Sequence, residues 1–251
     1  MLAIREVRAK SILNKSKIFD YCVNPYTGCQ LACRYCYARL FMIRYSGHKE
    51  EWGDFVDIKA NAPEVLQKQL TRAKPGQVWI SSVTDPYQPL EKKMELTRRC
   101  LRALLEQQFP VTIQTKSDLV LRDLDLLTEF RDIEVGFTIA TGDEKIARLF
   151  ESNAPSVSRR IAALETIHSR GIRTFAFIGP ILPGNPEDLV ANLEGKVDNI
   201  LIDKMNYMNS IRGFYKKHGL EYATTPQFFR EQKERLTCEL RRRRMRFRAV
   251  F

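Results

Sequence analysis

Three cysteines fall within eight residues, where Cys29-Gln30-Leu31-Ala32-Cys33-Arg34-Tyr35-Cys36 spaces them C-x3-C-x2-C with an aromatic directly before the third. Three thiolates on one tight loop suit a cubic iron–sulfur cluster, each holding one of its four iron corners. The fourth iron then has no protein ligand from this loop. An iron with an open position can bind a substrate or cofactor directly, which a cluster closed by four cysteines cannot. The competing metal is zinc. A structural zinc site takes four ligands, commonly as two close pairs, whereas Cys22, Cys100, Cys238, His48, His168 and His218 each stand alone in the sequence. The spacing favours the cluster and keeps zinc as the alternative. Disulfides are not expected, because the residues up to Lys17 are basic and lack the apolar core and cleavage site of a secretory signal.

A loop of this kind needs a rigid scaffold. With 251 residues and 44% hydrophobic content, the chain can bury one substantial core and suits a single α/β domain. Runs rich in Val, Ile and Phe, bounded by Gly, Pro and Asp, predict strands buried on both faces at 18–23, 77–83, 111–115, 134–139, 174–178 and 199–203. Helical spacing predicts helices at 63–72, 95–107, 119–130 and 156–169, the last with Gly171 as its C-cap. Strands alternating with helices argue for a parallel sheet with right-handed crossovers. Beyond about residue 206 the pattern changes to two charged helices, 210–217 and 226–244, with no strand between them. The expected organisation is a basic N-terminal segment 1–17, a core domain 18–205 and a basic helical extension 206–251.

In that scheme the cysteine loop follows the first strand, Thr84-Asp85 the second and Lys116-Ser117 the third, while Thr138 to Thr141 ends the fourth. The C-terminal ends of parallel strands are where α/β barrels gather their functional groups. The segment from Asn24-Pro25-Tyr26-Thr27-Gly28-Cys29 to Cys36-Tyr37-Ala38-Arg39 resembles the signature of radical S-adenosylmethionine (SAM) enzymes, and within them the spore photoproduct lyase-related group. Trp52-Gly53, Lys59-Ala60-Asn61-Ala62, the run from Ser81 to Glu91, Thr115-Lys116-Ser117, Ala154-Pro155-Ser156 with Arg160, and Pro180-Ile181-Leu182-Pro183-Gly184 extend the resemblance over roughly residues 18 to 190.

The resemblance implies a partial (β/α)6 TIM-like barrel and a [4Fe–4S] cluster on Cys29, Cys33 and Cys36. It implies SAM chelating the open iron, with an electron donor such as a flavodoxin or ferredoxin. Reductive cleavage of SAM would then give a 5′-deoxyadenosyl radical. It also implies Lys116 at the SAM carboxylate, Thr84 and Thr138 near the methionine and ribose, and Tyr35 packed on adenine; otherwise Lys116 is a solvated lysine and the threonines are strand packing. Asp85, Tyr87, Gln88 and Glu91 either face substrate or cap the helix starting near Leu96. Where the group often carries Glu-Pro-Arg, this chain has Glu151-Ser152-Asn153. Val83 stands where the lyase has its hydrogen-donating cysteine, leaving Cys22 as the candidate donor or else a small buried strand residue.

Partners follow from charge. The 41 Lys and Arg against 30 Asp and Glu leave a net charge of +11, which favours polyanions. Arg241, Arg242, Arg243, Arg244, Arg246 and Arg248 form the densest cluster, interleaved with Met245 and Phe247; it reads as a nucleic-acid contact or a solvated tail. With the likeness to a DNA-repair lyase, the expected substrate is a nucleic acid or a nucleobase within one. Radical modification of a peptide or small metabolite is the second enzyme reading, and a non-catalytic iron–sulfur or zinc protein that binds nucleic acid is the third. No apolar run approaches the roughly 20 residues that span a bilayer, so a cytoplasmic monomer is expected.

Overall fold

All six runs expected to be strands form strands, and further strands join them. The structure, a computed structural model describing residues 2–251, is mixed α/β with a largely parallel sheet. The chain divides into two compact units, one holding residues up to Ala32 and Ala38–Val135, the other Cys33–Tyr37 and Gly136–Phe251. This division cuts through the cysteine loop and does not follow the boundaries at 17 and 205.

In the first unit, β1 (Ala3–Val7) and β2 (Leu13–Lys15) lie inside the expected basic N-terminal segment. Then come β3 (Tyr21–Val23), β4 (Tyr26–Thr27), α1 (Ala38–Ser46), β5 (Phe55–Lys59), α2 (Ala62–Leu70), β6 (Val78–Ile80), α3 (Glu91–Met94), α4 (Leu96–Glu106) and β7 (Val111–Thr115). A 3-10 turn, Asp118–Asp123, and α5 (Leu124–Leu127) follow. One small sheet orders β1-β5-β4, and β2, β3, β6 and β7 are neighbours in a second, antiparallel only at β2–β3. The register stacks Tyr21, Val78 and Val111, then Val23, Ile80 and Ile113, into two buried rows. On the opposite face, by the period-2 alternation of a strand, run Cys22, Trp79 and Thr112. Helix α4 buries Leu96, Cys100, Leu101 and Leu104, the stripe a 3.6-residue period presents to a core.

Strand β8 (Ile133–Thr138) leads into the second unit, which continues with α6 (Glu144–Phe150), α7 (Val157–Ser169), β9 (Arg173–Ile178), α8 (Pro186–Leu193), β10 (Asn199–Ile202), α9 (Arg212–Lys217), α10 (Pro226–Arg242) and β11 (Phe247–Ala249). Its strands order β8-β9-β10-β11, with β9, β10 and β11 parallel. The ring of Phe175 crosses Gly136 so closely that a Cβ there would meet it at 2.1 Å. Gly171 follows α7 at φ +74°, the left-handed stop its sequence promised.

The differences from expectation have local causes. Ile18 is 85% exposed and the first core strand begins only at Tyr21. Ser81 adopts φ +63° and ends β6 early, although Val83 has high strand propensity. The expected helix 119–130 breaks into a 3-10 turn, capped by Ser117 accepting the Leu119 N–H, and the short α5. The C-terminal region is not helical throughout, because Phe247–Ala249 finds backbone partners on β10. Among the described residues no helix is long and apolar enough to cross a membrane.

Candidate active site

Two polar networks, one in each unit, hold the segments that carry the expected site residues. In the first unit the cysteine loop is buttoned to the loop after β6. The Thr84 hydroxyl donates to the Gly28 carbonyl at 2.8 Å, and the Gln88 amide donates to that carbonyl at 3.3 Å and to Thr84 Oγ1 at 3.1 Å. Gln88 Oε1 accepts the Gln30 N–H at 3.0 Å, and Gln30 Oε1 accepts the Leu90 N–H at 2.6 Å. The Asp85 N–H points at Cys29 Sγ, 3.4 Å away. Gly28 itself sits at φ +89°, and a Cβ there would meet the Phe55 carbonyl oxygen at 2.3 Å, so only glycine fits immediately before the first cysteine.

Asp85 is buried with both carboxylate oxygens engaged. Oδ1 accepts the Thr115 hydroxyl at 2.7 Å and the Tyr87 N–H at 2.9 Å, and Oδ2 accepts the Lys116 N–H at 2.8 Å. Burial pushes its pKa up, opposed by these hydrogen bonds, that from Thr115 foremost. Asp85 thereby pins the backbone at Lys116.

The other polar side chains of the 85–91 run have no surface to offer a substrate. Tyr87, Gln88 and Glu91 are fully buried. The Tyr87 hydroxyl donates to Asp123 at 3.1 Å, and Arg98 and Arg122 pair with that carboxylate at 2.9 and 2.8 Å. Glu91 accepts from the Tyr26 hydroxyl, from Arg122 at 2.9 Å, and from the N–H groups of Thr97 at 3.0 Å and Arg98 at 3.3 Å. Of the two sequence readings of this run, Glu91 takes the cap of α4. Substrate contact by Tyr87, Gln88 and Glu91 is corrected to internal support, because their polar atoms are spent inside the fold.

Cys22 is half-buried and stands on the face of β3 opposite the buried Tyr21 and Val23, rather than packed among them as a small buried strand residue. The Asn24 carboxamide, unremarked in the sequence, donates to Cys22 Sγ at 3.6 Å and to Ser82 Oγ at 3.3 Å, and accepts the Val83 N–H at 3.3 Å. One side chain thus ties Cys22 to the position where the resemblance expects a donor cysteine. Lys59 donates to the Asn24 carbonyl at 2.7 Å, and burial lowers its pKa.

In the second unit, the Arg34 N–H donates to the Phe150 carbonyl at 2.8 Å, and the Tyr35 hydroxyl donates to Glu151. Glu151 pairs with Arg160 at 2.5 Å, and both side chains are only 1% exposed. Arg160 also donates to the Thr138 carbonyl at 3.2 Å and the Pro155 carbonyl at 2.8 Å. Burial, then the Glu151 charge, raises the Tyr35 pKa far enough that the phenol stays a donor. Burial alone would depress Arg160, but the Glu151 charge and its hydrogen bond, with smaller contributions from Tyr35 and Cys33, together hold that pKa above its ordinary value. Tyr35 and Thr138 are therefore held by one buried ion pair, while Asn153 lies on an exposed turn. The Glu-x-x-Ala-Pro-Ser-x-x-x-Arg pattern was visible in the sequence, but not that its ends meet.

The arginine run is not a solvated tail. Arg242 pairs with Glu239 at 2.5 Å, Arg243 pairs with Glu239 at 2.6 Å and with Glu194, and Arg241 lies 5.8 Å from the Phe247 ring centroid. Arg241, Arg242, Arg244, Arg246 and Arg248 are exposed, the last within β11, and all of these but Arg242 lack a carboxylate pairing of that kind among the ion pairs described.

None of the six cysteines is joined in a disulfide. Cys29 and Cys33 are buried and Cys36 is half-buried. Among the described residues, no three or more His, Cys, Asp or Glu side chains are gathered as a metal site, so the ligand set rests on the chemistry of the loop. That chemistry fits an iron–sulfur cluster: three thiols, with a backbone N–H directed at one sulfur, the kind of contact that tunes cluster potential. The chain is 41% identical over 184 residues to an uncharacterized protein of Methanocaldococcus jannaschii, a match spanning 72% of this chain and 69% of that one. Its fold matches spore photoproduct lyase complexed with dinucleoside spore photoproduct, at a TM-score of 0.69 and 14% identity over 99% of this chain and 82% of the lyase. It also matches Streptococcus suis SuiB bound to precursor peptide SuiA, at a TM-score of 0.63 and 17% identity over 92% of this chain and about half, 48%, of SuiB. Residues 23–194, which include the cysteine loop and both networks, match the model of the radical SAM superfamily, and the chain belongs to that superfamily.

Proposed function

We propose that this radical SAM enzyme holds a [4Fe–4S] cluster on Cys29, Cys33 and Cys36 and acts on a nucleic acid, or on a nucleobase within one. The observation that carries the cluster is the cysteine loop, whose three thiols stand at the family's spacing with the Asp85 N–H directed at the first. When bound, cluster and SAM supply a one-electron reductive cleavage whose product, a 5′-deoxyadenosyl radical, takes hydrogen from unactivated carbon.

The protein's own residues position and exclude. Lys116, its backbone pinned by Asp85, offers an ammonium to the SAM carboxylate. Thr84 steadies the turn before Cys29, Thr138 flanks the ribose, and Tyr35 packs on adenine with its hydroxyl end held by Glu151. Cys22 gives a hydrogen atom to the product radical. Its S–H bond breaks, a C–H bond forms, and the remaining thiyl returns to the thiol by taking one electron from a reduced ferredoxin- or flavodoxin-type donor and one proton from solvent. Its shared partner Asn24 with Val83 supports that role.

The test is anaerobic reconstitution with iron and sulfide quantified, followed by assay for 5′-deoxyadenosine and methionine under strong reductant. A protein that loads one zinc and no sulfide, or yields no 5′-deoxyadenosine, overturns the reading. The nucleic-acid assignment is supported by the net charge of +11, the exposed arginines and the lyase fold. Radical modification of a peptide is the second reading, favoured by the match to SuiB with its precursor peptide. A substrate screen that gives coupled turnover on one class alone decides between them.

A further inference from the structure

Strand β6 has a neighbour on each side, β3 and β7, both parallel to it. Strands in that position are normally buried on both faces. One face of β6 obeys this, with Val78 and Ile80 at 0% exposure, and the other does not. On that second face Trp79 is half-buried, and so is its register partner Cys22. A single accessible aromatic on an outer surface needs no explanation. An indole left accessible in mid-sheet does, because the face that carries it then lines an open hollow.

The indole is also braced. Phe19 rests against it with ring centroids 4.5 Å apart and planes tilted by 36°. Toward β7, the Gln77 amide donates to Thr112 Oγ1 at 2.7 Å and Thr112 is buried, so that flank is bonded internally. Toward β3 stands Cys22, one strand spacing from Trp79, or about 5 Å between backbones. A thiol gives its hydrogen atom only to a carbon in contact with it, so the product radical must lie against Cys22 Sγ. A ring lying there also lies on Trp79. Every nucleobase has a flat face that stacks on an aromatic side chain. Stacking does not depend on charge, so it adds to the phosphate contacts that the net charge of +11 favours.

We propose that Trp79, braced by Phe19, is the stacking platform for the reacting nucleobase and sets that base against Cys22. This rests on the nucleic-acid and Cys22 readings above. A base cannot lie on a protein ring while stacked inside a duplex, so the base that enters is single-stranded or flipped out.

The chain has two tryptophans, Trp52 and Trp79, so Trp52→Phe leaves Trp79 as the sole indole reporter. The experiment titrates this full-length reconstituted variant, followed by indole fluorescence, with oligothymidylate and oligoadenylate of about eight nucleotides. A base-free sugar–phosphate strand of equal length and a tyrosine-containing peptide are titrated alongside. Affinities are then measured over a salt series for wild type, Trp79→Leu and Trp79→Phe, with iron, sulfide and circular dichroism on the same samples. Quenching by a base-bearing strand and not by the base-free one supports the proposal. So does a loss of affinity of at least about fivefold in Trp79→Leu, the low end for one stacked base, partly restored in Trp79→Phe and with an unchanged salt slope. Equal quenching by the base-free strand, quenching by the peptide alone, or affinities within twofold in Trp79→Leu overturn the platform and leave the nucleic-acid reading standing. Loss of iron or of the folded spectrum in both Trp79 variants, with no quenching in Trp52→Phe, makes Trp79 a packing residue and overturns it too. A wild-type protein that binds no strand fails the nucleic-acid reading itself, and the platform with it.

Discussion

At the scale of single residues, the energetic weight falls on groups the sequence offered only as candidates. The Glu151–Arg160 pair is 1% exposed on each side, and removing one partner of such a pair leaves an uncompensated buried charge. Glu151→Gln and Arg160→Met should each destabilise the protein by about 3–5 kcal/mol, and the double variant should cost less than the sum. Chemical denaturation checks this, and additive losses would show that the two do not act as a unit. The stability linkage of Asp85 runs opposite to that of a carboxylate held below its ordinary pKa. Because burial raises its folded pKa, its contribution to stability is complete below about 3.9, the ordinary value. That contribution is lost as pH rises through the higher folded value. Asp85→Asn should flatten this part of the stability–pH profile. It should also cost about 1–3 kcal/mol, since an amide cannot accept at both oxygen positions and a buried N–H is left unpaired. Cys22→Ala should leave SAM cleavage intact while uncoupling it from product, and unchanged coupling would remove Cys22 as the hydrogen donor.

At the scale of elements, the loop between β4 and α1 depends on backbone that side chains elsewhere enforce. Gly28→Ala places a Cβ against the Phe55 carbonyl and demands a left-handed conformation of an alanine. We expect a loss of more than about 1 kcal/mol and lower iron loading, both measured on the reconstituted protein. The end of α10 behaves differently. Arg242, then Arg243, hold the Glu239 carboxyl down at about 2, so these pairs contribute stability above the ordinary carboxylate range that is lost only as pH falls toward 2. A titration of Glu239 followed by NMR checks the value, and Arg242→Ala should move it upward.

At the scale of the whole molecule, the partner question turns on the exposed arginines. Deleting residues 241–251 would remove a strand as well as charge, because β11 is paired to β10. The cleaner variant changes Arg241, Arg244, Arg246 and Arg248 to Ala. Each phosphate contact removed should reduce the slope of log affinity against log salt by about 0.7–0.9. Wild-type affinity no tighter than about 10⁻⁴ M for both single and double strands at physiological salt would end the nucleic-acid proposal.

The sequence by itself determined the chemistry and the alternation. Cysteine spacing is a local property, and strands such as Val111–Thr115 are fixed by short apolar runs between breakers, so both were legible without a fold. Strands β1, β2 and β11 were not, because charged residues such as Arg5, Glu6 and Arg248 mask them and their hydrogen bonds come from distant partners or another strand. The site divides the same way. Residue type marked Asp85, Tyr87, Gln88 and Glu91 as polar groups near a strand end, but burial is a tertiary quantity. Only the fold decided that Glu91 caps α4 and that Tyr87 leans on Asp123. Asn24 beside Cys22 and Val83, and Arg160 beside Glu151 and Thr138, are pairings over long loops. Such contacts carry no periodic signature, and they exist only once the core has brought the loops together.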